Sequence, residues 1–91
     1  MKMIYKYLLN SYGTTDLDLQ QRSEVLKVDL VDGSLYLWAT VLDTPTPVRP
    51  RTFEVVGTGH PFSENLTKDR YLGTVFDNGF VWHVFETTGI S

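Results

Sequence analysis

Glu24-Val25-Leu26-Lys27-Val28-Asp29-Leu30-Val31-Asp32-Gly33-Ser34-Leu35-Tyr36-Leu37-Trp38-Ala39-Thr40-Val41-Leu42 is the stretch that sets the fold class. Two runs rich in β-branched, Leu and aromatic residues flank Asp32-Gly33. An Asp-Gly pair suits a two-residue type I′ turn, because both of its positions need positive φ. The segment therefore predicts an antiparallel hairpin. Period-two alternation supports it. Leu26, Val28 and Leu30 share one face, opposed by Val25, Lys27 and Asp29, and Leu35, Leu37, Ala39 and Val41 alternate with Tyr36, Trp38 and Thr40.

Working outward, Asn78-Gly79 repeats the arrangement between Tyr71–Asp77 and Phe80–Glu86. Phe80, Trp82 and Val84 oppose Val81, His83 and Phe85, so this last strand is apolar on both sides. It is expected to be central in a sheet or to carry an intersubunit contact. Met3–Leu8 reads as a further strand, with Ile4 on one side and Tyr5 and Tyr7 on the other, and Arg51–Val56 as another that ends at Gly57. Gly13–Arg22 is polar and lacks a helical pattern, so it reads as a connector. Asp43–Pro50 holds Pro45, Pro47 and Pro50, which cannot all join a sheet ladder, and is expected to be an exposed loop. Pro61–Arg70 is expected to hold a short helical turn starting near Ser63, where Ser-Glu-Asn offers capping chemistry. The expectation is one mainly β domain over residues 1–91: a small antiparallel sandwich or open barrel of five to six strands with at most one short helical turn.

Composition bounds the function. A chain of 91 residues buries roughly 60–65% of the surface that its unfolded form exposes, so its core has little to spare. Five Tyr, five Phe and two Trp supply large side chains for that core, and also for a neighbouring subunit or a flat ligand. Core filling is the expected role of Phe53, Phe76, Phe80 and Phe85, whereas the polar tips of the Trp and Tyr side chains call for a partner or water. The absence of cysteine excludes disulfides and thiolate metal sites. No apolar run approaches the roughly 18 residues of a membrane span. Lys2 and Lys6 interrupt the hydrophobic N-terminal stretch, unlike the core of a signal peptide. A cytosolic location without membrane association is expected. A net charge of −3 argues against a nucleic-acid polymer as partner, since its capture needs a broad basic surface.

Arg51-Thr52-Phe53-Glu54-Val55-Val56-Gly57-Thr58-Gly59-His60-Pro61 is the most informative local segment for chemistry. A strand running into Gly-Thr-Gly-His is able to turn backbone N–H groups toward one point and accept an anion. Thr58 would add a hydroxyl, His60 an imidazole, and Arg49 and Arg51 charge. The bland alternative is a tight strand-end turn, since the segment lacks the third glycine of a dinucleotide fingerprint and the Gly-Lys-Ser/Thr of a P-loop. His60 and His83 have no spacing that joins them in a metal site, and a structural role is expected for each. No nucleophile elbow and no H-E-x-x-H is present. The chain is therefore expected to bind rather than to catalyse, and to need no cofactor. Aromatic faces near Arg suit the stacking of purine or pyrimidine rings.

Met1-Lys2-Met3-Ile4-Tyr5-Lys6-Tyr7-Leu8, Leu37-Trp38-Ala39, the Arg51–His60 block and Tyr71-Leu72-Gly73-Thr74 with Trp82-His83-Val84-Phe85-Glu86 occur in an order that resembles a family of short tailed-phage proteins. The resemblance spans nearly the whole chain, and Thr-Phe-x-Val-Val-Gly-Thr-Gly-His is its most specific part. It extends in size and style to the anti-CBASS sponges, tetramers that sequester cyclic dinucleotides such as cyclic GMP–AMP. What it implies is an immune-evasion protein in the cytoplasm of the infected bacterial host, acting by stoichiometric capture as a homo-oligomer. Arg51, Thr58, Gly59 and His60 would then approach phosphate or base edges, with Trp38, Tyr5 or Tyr7 stacking. The different expectation kept beside it is a small phage structural or protein-interaction module that inhibits a host protein.

Overall fold

A computed structural model describes residues 1–90 as seven strands: β1 (Lys2–Leu8), β2 (Gly13–Gln20), β3 (Val25–Val31), β4 (Ser34–Leu42), β5 (Val48–Gly57), β6 (Tyr71–Asp77) and β7 (Phe80–Glu86). All pairing is antiparallel. One sheet has the order β1-β4-β3 and the other β2-β5-β7-β6. The mainly β sandwich expected from the sequence is present.

Both turn signals hold, for the reason given. Asp32 and Gly33 have φ of 50° and 81°, and Asn78 and Gly79 have 48° and 89°, the paired positive values of a type I′ hairpin. β7 is central, lying between β5 and β6.

Four expectations are corrected. Gly13–Gln20 is a strand and not a connector: Leu17 and Leu19 alternate with Asp16 and Asp18, and Leu19 is buried in the core. This strand raises the count to seven. The proline-rich loop is shorter than expected, because Val48–Pro50 already belongs to β5. Pro50 is tolerated there because that stretch pairs with β2 alone, β7 joining only from Phe53 onward, and proline suits a strand with one open edge. The phase of β3 slips at a bulge between Val25 and Lys27. One extra residue shifts the alternation, so Val25 and Val28 meet the core while Leu26 is exposed. Finally, Phe76 and Phe80 are exposed: Phe76 pairs with Val81 on the outer face of the second sheet, and Phe80 flanks the Asn78-Gly79 turn at the end of the inner face. Near Ser63 the chain makes one turn closed by Leu66 N–H on the Ser63 carbonyl (3.0 Å), and the helical turn itself is a 3-10 turn at Lys68–Arg70.

The inner faces meet in one core of Leu9, Leu19, Val28, Leu35, Leu37, Ala39, Phe53, Val55, Val75 and Val84. The sheets approach closely at Gly73, where an added Cβ would lie 2.6 Å from Val28 Cγ2. A smaller cluster of Val56, Leu66 and Phe85 lies on the outer face of the second sheet.

At one end of the inner face Arg51 meets Glu86 in a two-pronged ion pair (Nε–Oε2 2.8 Å, Nη2–Oε1 2.7 Å), while its Nη1 donates to the Ser23 carbonyl at 2.6 Å. The side chains are only 14% and 17% exposed, which makes the pair stronger than an ordinary surface bridge. Burial alone would push the Glu86 carboxyl up. Hydrogen bonds from Arg51 and from the Thr88 hydroxyl outweigh it and hold the carboxyl below its ordinary 4.5.

Two outcomes are expected from this packing. Gly73→Ala forces the new methyl into the stiff Val28 side chain and should lower unfolding stability by about 1–3 kcal/mol in a urea titration. A Glu whose folded pKa is depressed contributes stability that is present above its unfolded pKa and lost as pH falls through the folded value. The stability gap between the native chain and Glu86→Gln should therefore be full at neutral pH and shrink below pH 4.5; a gap that is unchanged at acid pH would show that the pair contributes nothing through its charge.

Candidate functional site: the Gly57–His60 turn and its aromatic rim

β5 ends where its pleat brings Gly57 opposite Trp82 of β7. The chain then turns sharply, with the Gly57 carbonyl accepting the His60 N–H at 3.0 Å. Gly59 is the third residue of that turn and has φ of 87°, a value that a type II turn reserves for glycine. Gly57 is required for a different reason. A Cβ there would stand 2.8 Å from His60 Nδ1 and 3.0 Å from Trp82 Cζ3. Its bare backbone is what lets the imidazole and the indole close over the strand end.

Several of the donors expected to line an anion-binding concavity at this turn are already used. The Thr58 N–H donates to the Val81 carbonyl at 3.0 Å and the His60 N–H is used within the turn, so two of the groups expected to converge on an anion are spent. The Thr58 hydroxyl is spent as well. It shares a 2.6 Å hydrogen bond with His83 Nε2, whose Nδ1 shares one of 2.9 Å with the Thr74 hydroxyl. Tyr71 OH extends this chain to Thr74. His83 is thus the centre of a hydroxyl–imidazole–hydroxyl network on the outer face of the second sheet. Its Nδ1 meets a hydroxyl where a catalytic dyad would want a carboxylate.

On the inner side, four rings gather beside the turn. Tyr12 meets His60 at 6.2 Å and Trp82 at 6.1 Å between ring centroids, both edge-on, and His60 meets Trp82 at 6.4 Å. Phe80 stacks on Trp82 at 5.8 Å with 16° between planes. These are the offset and edge-to-face arrangements that aromatic rings prefer. Tyr12 is 65% exposed and Phe80 62%, so the cluster presents ring faces outward. Gly57, Thr58, His60, Gly79, Phe80, Val81 and Trp82 line a concavity of about 290 Å³ beside it.

The domain of unknown function DUF7352 has a family model that matches residues 1–90. The chain belongs to the DUF7352 family. No curated protein matches it, and no solved structure matches it.

In this DUF7352 chain the residues singled out from sequence fall in four places. Thr58, Gly59 and His60 share the turn. Arg51 lies six residues back along β5, roughly 20 Å away at the rise of a strand, where it lines a cleft of about 700 Å³ with Arg49, Arg70, Asp69 and Glu86. Its guanidinium is already committed to Glu86 and Ser23. Trp38 stands on the outer face of the first sheet, tilted against Tyr36 at 6.2 Å. Tyr5 and Tyr7 pair with Ala39 and Leu37 on the inner face, where Tyr7 packs against the core. Burial, and then Tyr5 beside it, raise the Tyr7 hydroxyl above its ordinary value. Within one chain these seven residues do not form one site. Tyr12 and Phe80 take the places that sequence had given to Tyr5, Tyr7 and Trp38 beside the turn. The available signal was positional: each adjoins a residue with positive φ, Gly13 or Gly79, and so sits at a strand end where apolar side chains are hard to bury.

Gly57→Ala should displace His60 and Trp82 and change the near-UV circular dichroism of the indole while the far-UV spectrum persists. An unaltered near-UV spectrum would mean that the rings do not depend on the missing Cβ.

Proposed function

We propose that this chain acts by stoichiometric binding, and that it holds a ligand bearing flat heteroaromatic bases against the Tyr12–His60–Phe80–Trp82 cluster. The carrying observation is that two rings of this cluster, Tyr12 and Phe80, are largely exposed yet ordered against Trp82. Stacking on an aromatic face contributes about 1–3 kcal/mol per base and tolerates different bases, because every base has a π-face. His60 brings a ring nitrogen that can donate or accept at a base edge. The hydroxyl-bound His83, whose partners are Thr58 and Thr74, favours a structural over a catalytic role for that histidine.

The resemblance to short phage proteins supports one ligand class in particular, a cyclic oligonucleotide second messenger such as cyclic GMP–AMP, sequestered uncleaved in the host cytoplasm. A sponge must outcompete a host effector, and a rim held in place by a turn with a fixed glycine limits the ordering cost of binding.

Isothermal titration against cyclic di- and trinucleotides is the test. One of them should bind, and heat denaturation should release it chemically unchanged. Phe80→Ala and Tyr12→Ala should leave the fold intact and each weaken capture by roughly 5–150-fold, the equivalent of one lost stack, whereas Arg49→Ala in the distant cleft should not. Loss of binding with Arg49→Ala alone would move the site to the arginine cleft. No heat with any nucleotide would remove the second-messenger function, and a cleaved product would replace binding by catalysis.

A further inference from the structure

β1 is a seven-residue edge strand whose second backbone edge has no neighbour among the described residues. Such an edge is a template for another strand, and proteins usually blunt it with charged side chains, proline, bulges or cover. β1 has no proline and no bulge, and its two charges, Lys2 and Lys6, share a face with Ile4 and Leu8. Met3, Ile4, Tyr5 and Leu8 are exposed, with Met3 and Tyr5 facing one way and Ile4 and Leu8, between Lys2 and Lys6, the other, so apolar side chains are exposed on both faces of an open edge.

The hydrogen-bond parity of β1 is fixed at its two ends. The Met1 carbonyl accepts from Asp43 N–H at 3.1 Å, and Leu9 N–H donates to the Leu35 carbonyl at 2.9 Å. Antiparallel partners alternate between bonded and non-bonded pairs, so odd residues spend their backbone groups on β4. Lys2, Ile4, Lys6 and Leu8 therefore aim theirs out of the open edge.

We infer that β1 pairs antiparallel with β1 of a second copy of this chain, about a two-fold axis through Tyr5. Three features select that register. Keeping the inner face of one copy continuous with that of the other requires residue pairs of like parity. Centring on Tyr5 uses the whole strand, opposing Lys2 to Leu8, Met3 to Tyr7 and Ile4 to Lys6. It also keeps the lysines apart: centring on Ile4 would set Lys2 against Lys6, and centring on Lys6 would set it against itself, and like charges directly opposite are unfavourable. Ile4 and Lys6, and Lys2 and Leu8, then exchange the outward N–H and carbonyl groups. The contact is closed, because a two-fold contact consumes the same patch on both partners. A second copy is favoured over a foreign strand because the pattern of β1 is complementary to itself. The inference is independent of the aromatic cluster and of any ligand.

Sedimentation velocity on the full chain tests it. The native chain should dimerise at high micromolar concentration, at twice its 10.4 kDa mass. Ile4→Pro removes an outward N–H without touching the β4 ladder, and should give a folded monomer by far-UV circular dichroism. Because the chain has no cysteine, Tyr5→Cys introduces a single thiol that meets its own copy at the axis. Under mild oxidation it should cross-link to a covalent dimer at least ten times faster than Ile4→Cys, which faces Lys6. A native chain that stays monomeric, as it would if β1 serves a foreign strand, overturns the inference. So does a dimer that survives Ile4→Pro, or equal cross-linking at the two positions.

Discussion

The pleat of β5 is the constraint on which both ends of the second sheet depend. Arg51, Phe53, Val55 and Gly57 alternate onto the inner face, and each has a different task. Phe53, fully buried, fills the centre. Arg51 closes one end by pairing with Glu86. Gly57 opens the other by offering no side chain at all. A slip of one residue would send all four to solvent and bring Thr52, Glu54 and Val56 inward. β5 is protected against that slip on two sides, since β2 pairs with its first eight residues and β7 with its last five.

The two ends suit different chemistry. At the charged end Arg51 is saturated by Glu86 and Ser23, and Arg70 donates to the Thr88 carbonyl. Several of the donors that make the cleft look basic in sequence are already used to hold the chain together, and a desolvated pair of this kind is costly to break from one side. At the aromatic end the Thr58 and His60 N–H groups and the Thr58 hydroxyl are engaged by Val81, Gly57 and His83, but the ring faces are not. What remains free to meet a ligand there is surface that stacks, together with the His60 imidazole. This is why recognition of a base, rather than of a phosphate, is the chemistry proposed for that end.

The hairpins were legible because their information is local: Asp32-Gly33 and Asn78-Gly79 name their turn type without help from the rest of the chain. β2 is not legible although Asp16-Leu17-Asp18-Leu19 alternates perfectly, because two leucines are a weak apolar signal and only burial beneath the first sheet makes them decisive. The phase of β3 at Leu26 is not legible either, because a bulge is set by pairing with β4, which sequence periodicity does not contain. Gly59 and the sharp turn were readable from Gly-Thr-Gly-His. The engagement of its donors was not, since the Val81 carbonyl that consumes the Thr58 N–H comes from 23 residues later. The rim of Tyr12, His60, Phe80 and Trp82 draws on three separated segments, and no spacing rule joins them.

The aromatic content also looks different once burial is known. Of the five Phe, five Tyr and two Trp, only Phe53 and Phe85 are buried; the rest of the core is Leu, Val and Ala. A small domain short of core would be expected to bury its largest side chains first, because they remove the most apolar area from water. This chain instead leaves Tyr12 and Phe80 at one end of the second sheet and Tyr5 on the open edge of the first. Folding does not account for rings in those places, and exposed rings carry an aggregation cost. The two locations differ in kind: the first is a concave rim of ring faces, the geometry behind the proposed base stacking, and the second is a straight strand with unused backbone groups, the geometry behind the proposed strand pairing. The two proposals share no residue, so each stands or falls without the other.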